Sequence, residues 1–148
     1  VGVGTLAIVA TGADRARLYF RFRPPRCAVA VDPGLNTHRA YGVPQLAKTP
    51  KLMEALGSKY AALAREEGLQ VPAAESYEAL NRLDGFTLTE GDLAERARHQ
   101  AQLAGLFLVD RDGVIRWLST ESPQEDLAGL DKFPTDEEIL ATARALLD

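Results

Sequence analysis

Cysteine is nearly missing from this chain: Cys27 is the only one. A single thiol excludes an internal disulfide, a CxxC pair and a cysteine-based zinc site. It also suits a reducing compartment, so a cytoplasmic location is the expectation. Histidine is almost as scarce. His38 and His99 stand far apart among scattered carboxylates, so they read as surface or capping residues and no metal is expected. No apolar run approaches the about 20 residues that cross a bilayer, and no membrane partner is expected. Cations are fewer than anions, 17 against 21, and they are dispersed, which leaves no phosphate-binding face for nucleic acid. There is no Ser/His/Asp arrangement, no internal repeat and no cofactor motif. Gly2-x-Gly4 precedes a strand instead of joining a strand to a helix, and its third glycine position is Ala7, so it does not make a dinucleotide fingerprint.

What is present suits one packed α/β domain. The length is 148 residues and 46% of them are hydrophobic, enough for a core. The clearest local signal is Gly105-Leu106-Phe107-Leu108-Val109-Asp110-Arg111-Asp112-Gly113-Val114-Ile115-Arg116-Trp117. Two apolar runs flank a turn whose Asp-Gly accepts the positive φ that tight hairpins demand. Trp117 ends it with apolar neighbours and reads as packing. Strands are expected over 5–11, 27–32, 105–110 and 114–119. The first two are apolar runs closed by Gly12 and by Asp32-Pro33-Gly34. A helix over 14–22 ends at Pro24-Pro25, and a short one over 36–42 ends at Gly42. This β-α-β-α order argues for parallel pairing.

Residues 45–103 read as a helical insertion. Thr49-Pro50 is an N-cap followed by a first-turn proline, and Leu52, Met53, Leu56, Tyr60, Leu63 and Ala64 trace one stripe up to Gly68. Shorter helices are expected over 75–83 and, entered through Thr89 and Asp92, over 92–102. A loop covers 119–133. Thr135 and Glu138 then form a capping box for a terminal helix over 136–147.

Asp110-x-Asp112-Gly113 after an apolar strand is similar to the first motif of haloacid dehalogenase phosphatases, in which the first Asp is the nucleophile. That chemistry needs a later Lys and a Mg²⁺-binding acidic pair on further strands. After Gly113 only Lys132 remains and there is no room for those strands, so the hairpin reading is preferred.

A wider set of segments resembles the redoxin, or AhpC/TSA (peroxiredoxin-like), family. They are Leu6-Ala7-Ile8-Val9-Ala10-Thr11-Gly12 with its helix, Ala28-Val29-Ala30-Val31-Asp32-Pro33, then His38-Arg39-Ala40-Tyr41-Gly42-Val43-Pro44, the Asp-x-Asp-Gly hairpin and the final helix. The resemblance implies a thioredoxin-like three-layer sandwich with a mixed sheet, one domain over 1–148 interrupted by the insertion. It also implies an antioxidant, thiol-dependent oxidoreductase or peroxidase served by a thiol reductant. The family's strand-helix unit that presents the reactive cysteine has no counterpart here, and Ala104 stands where true peroxiredoxins carry an Arg. With Val1 as first residue, the chain reads as an N-terminally truncated fragment without activity of its own. Cys27 is the one candidate catalytic residue. It opens an apolar strand, and reads either as a small buried hydrophobe or as a resolving or regulatory thiol that Arg26 helps to ionise. The alternative function is a non-catalytic thioredoxin-fold module that binds a protein partner.

In a thioredoxin-like sheet the strand before the reactive cysteine is central, between 5–11 and 105–110. Its absence predicts that these two strands pair directly or that another chain fills the gap, giving a homo-oligomer by strand exchange. The insertion, interrupted by Gly57, Gly68, Pro72, Gly85 and Gly91, is expected to hold the least stable backbone. Hydrogen exchange checks this: residues 45–103 label faster than 105–119, and uniformly slow exchange across the insertion contradicts it.

Overall fold

The computed structural model describes residues 2–98, 100–121, 127, 130 and 132–146. The order is β1 (Leu6–Val9), α1 (Ala13–Phe22), β2 (Ala28–Val31), α2 (Asn36–Ala40), β3 (Gln45–Leu46), α3 (Pro50–Glu66), a 3-10 turn (Ala73–Glu75), α4 (Ser76–Leu83), α5 (Glu90–Arg98), β4 (Ala101–Gln102), β5 (Gly105–Val109), β6 (Ile115–Thr120) and α6 (Asp136–Ala145). The α/β class stands. The described strands form three two-stranded sheets, β1–β2, β3–β4 and β5–β6. Direct pairing of the first strand with the hairpin is therefore not formed among the described residues: β1 has β2 as its neighbour, and β5 has β6. α6 ends at Ala145, two residues short of the expected 147. Residue 147, His99 and most of the expected 119–133 loop lie outside the described residues.

The chain divides into two compact units, each assembled from separate stretches. The first comprises residues 1–10, 27–46 and 102–148. In it β1 and β2 run parallel, with Leu6 opposite Ala28 and Val9 opposite Val31. The Asp32 N–H extends the ladder by donating to the Val9 carbonyl at 2.8 Å. A parallel pair needs a crossover, and α1 supplies it. β5 and β6 are antiparallel, with Phe107 opposite Leu118 and Leu108 opposite Trp117. The register then slips, so that Val109 faces Ile115 and Arg116 is the extra residue of a β-bulge.

The hairpin turn is longer than a two-residue Asp-Gly. The Asp110 N–H donates to the Val114 carbonyl at 2.9 Å, and Gly113 takes the positive φ, 82°, that the sequence anticipates. At the other end the buried Glu121 closes the hairpin: its carboxylate accepts the Ala104 N–H at 2.6 Å, and its own N–H donates to the Ala104 carbonyl at 3.1 Å. The Phe107 ring meets Tyr41 edge-on, centroids 4.9 Å apart. The capping box of α6 is formed. The Thr135 hydroxyl accepts the Glu138 N–H at 3.3 Å, and the Glu138 carboxylate accepts the Thr135 N–H at 2.7 Å.

The second unit comprises residues 11–26 and 47–101. α3 begins where the sequence places it, the Thr49 hydroxyl accepting the Leu52 N–H at 3.2 Å with Pro50 in the first turn. Leu52 and Ala64 bury its inner stripe. α4 packs on α3, and Tyr60 meets Tyr77 at 4.8 Å between centroids. α1 belongs with these helices through its aromatic residues. The buried Phe86 ring takes Tyr19 and Phe22 edge-on at 5.5 and 5.8 Å, and the Arg23 guanidinium covers Tyr19 while bonding Asp84 at 2.5 Å and Asn81 at 3.2 Å. Arg15, in the first turn of α1, is ion-paired with Asp92 and Glu95 of α5.

A further expectation is corrected at the end of the insertion. Residues 101–102 are not the end of a helix but strand β4, because α5 stops earlier and the backbone turns to Pro44. The Pro44 carbonyl accepts both the Leu103 N–H at 3.1 Å and the Gln102 side-chain amide at 3.0 Å.

Gly105 is held by contact, not by φ. A Cβ there stands 2.8 Å from the Phe107 ring and 3.2 Å from the Thr120 methyl. Since Phe107 is itself packed against Tyr41, Gly105→Ala is expected to destabilise the protein by about 1–3 kcal/mol through overpacking. Urea unfolding checks this, and an unchanged midpoint shows that Phe107 swings aside freely.

Candidate functional site

β2 carries the residues with chemistry at its two ends. Cys27 immediately precedes the strand and is half-buried, while Arg26 beside it in sequence is exposed. Asp32 follows the strand. Five residues of extended chain at about 3.3 Å each separate them by roughly 16 Å, so the groups at the Asp32 end do not act on the Cys27 sulfur. Cys27 precedes no helix. The next helix, α2, begins beyond the far end of β2.

The Asp32 end is the more organised. Asp32 is buried, and its carboxylate gathers the start of α2. Oδ1 accepts the Asn36 N–H at 2.9 Å, and Oδ2 accepts the Thr37 N–H at 2.7 Å and the His38 N–H at 3.4 Å. The imidazole Nδ1 of His38 lies 3.2 Å from the same Oδ2. Burial pushes this carboxyl up, but the Asn36 N–H, the His38 ring and the other amides outweigh it and hold the pKa down at about 2. Leu35 sits inside the clasp in a left-handed conformation, φ 55° and ψ 28°, unusual for a bulky residue. Burial of its side chain and the 3.0 Å bond from its N–H to the Asp32 carbonyl hold it there.

Sequence reasoning treated Asp32 as a turn residue and His38 as a surface or capping residue, and so missed their pairing. The available signal was an Asp four residues ahead of the first helical residue, with a His two further on. The pair orients an imidazole, as carboxylate–histidine pairs in catalytic sites do. Among the described residues, however, no group of three His, Cys, Asp or Glu side chains stands close enough to hold a metal ion.

The other acidic motif is committed to the turn. Asp110 Oδ1 accepts the N–H groups of Asp112 and Val114, both at 2.9 Å, and Oδ2 accepts Arg116 Nε at 2.6 Å. The Val114 amide first, then Arg116, hold its carboxyl below the usual range. With both oxygens engaged, Asp110 organises the hairpin, and Arg116 reaches it because the bulge re-aims that side chain. Asp112 is exposed, and the half-buried Trp117 lies opposite Leu108 in β6. Ala104 is exposed, with its backbone engaged by Glu121. Among the described residues no helix is long and apolar enough to cross a membrane. Compared with protein-family models, with curated proteins and with solved structures, the chain matches none.

The Asp32 clasp has a pH signature. Its folded pKa, about 2, lies below the ordinary 3.8, so the unfolded chain takes up the proton first as the solution is acidified. The stabilisation is complete above 3.8 and is lost as pH falls from there through about 2. A carboxyl-carbon NMR titration is expected to show the Asp32 midpoint near 2, and a midpoint at or above 3.8 contradicts the clasp.

Proposed function

We propose that this chain is part of a thioredoxin-like sandwich of the redoxin, or AhpC/TSA (peroxiredoxin-like), type, from a thiol-dependent oxidoreductase or peroxidase, and that by itself it is inactive. The observation that carries the reading is the order of the elements. A parallel β1–α1–β2 unit comes first, an antiparallel β5–β6 hairpin follows, and α6 comes last. That is the succession such a sandwich uses after its cysteine-bearing unit. The inactivity follows from the thiol. The thiolate is the nucleophile in this chemistry, and it is made reactive by a helix N-terminus or neighbouring cations. Cys27 opens a strand, with no second cysteine to resolve an intermediate.

A second reading, a non-catalytic interaction module, is favoured by the apolar side chains left exposed on the strands. On β1 and β2, Leu6 is 59% exposed and Val31 is exposed; on β5 and β6, Leu118 is 56% exposed and Leu106, Val109 and Ile115 are exposed. Apolar strands with unpaired edges template pairing with another chain. The encoding gene separates the two readings. A cysteine-bearing strand-helix unit upstream of Val1 supports the oxidoreductase, and its absence there favours the interaction module.

Two measurements on the purified chain follow. Peroxide and disulfide turnover are expected to equal the buffer rate and to be unchanged by Cys27→Ser. Turnover that disappears in Cys27→Ser overturns the proposal of inactivity and makes Cys27 the nucleophile. Light scattering is expected to show a homo-oligomer that Leu106→Lys converts to monomer, because a charge on β5 blocks strand pairing. A chain that is monomeric at all concentrations contradicts strand exchange.

A further inference from the structure

We draw no further inference here: the strongest candidate, the β5 edge that is unpaired among the described residues and flanked by the exposed Leu106 and Val109, already serves the interaction reading above, and nothing in the structure shows what covers it.

Discussion

At several places where the backbone leaves a strand or enters a helix, N–H groups left without a ladder partner are taken up by carboxylates. Asp32 collects three at the start of α2, Asp110 two in the hairpin turn, and Glu121 one at the hairpin's open end. Asp92 and Glu138 do the same at the entries to α5 and α6, accepting the N–H groups of Thr89 and Thr135, each at 2.7 Å. Charge-assisted bonds of this kind are shorter and stronger than neutral ones. An unpaired buried donor costs about 1–3 kcal/mol, so the part-buried contacts of Asp32 and Glu121 weigh most in fixing the start of α2 and the open end of the hairpin. The Asp-x-Asp-Gly motif is likewise committed, its Asp110 to the hairpin turn and Arg116, as the Asp32 of the turn after β2 is committed to the start of α2.

The elements written in local sequence were legible. The hairpin could be read because its apolar runs and its Asp-Gly sit within a dozen residues, and Gly113 takes the φ that the pattern asks for. The entry of α3 at Thr49-Pro50 and the capping box of α6 were legible for the same reason, since each is a contact across three residues. β1 and β2 were visible as apolar runs, with ends displaced by one or two residues because Thr5, Ala10 and Cys27 share the composition of the strand but not its ladder.

What could not be read depends on partners distant in sequence. β3 and β4 are two residues each, too short for any periodicity, and the Gln102 amide bonds a carbonyl far upstream, at Pro44. The company of α1 was hidden likewise. Tyr19 and Phe22 do not announce that Phe86 is their neighbour, nor does Arg15 announce Asp92. At the candidate site, the position of Cys27 at the opening of a strand was legible, whereas the Asp32–His38 pairing was not. Asp-Pro-Gly is an ordinary turn signal, and the left-handed Leu35 that brings the imidazole back onto the carboxylate has no sequence mark of its own.

The interleaving of the two units has a kinetic consequence. Each is assembled from stretches that the other interrupts, so no single cut releases either one whole. The first unit must close across both α1 and the long helical stretch before its strands are gathered, and loop-closure entropy is spent before those contacts form. The β5–β6 hairpin is under no such delay. Its contacts are local and form on a timescale of about 1–10 μs, whereas β1–β2 pairing waits on a crossover. During synthesis β5, β6 and α6 emerge well after β1 and β2. The first unit therefore cannot be completed until the residues through α6 have been made, long after β1 and β2.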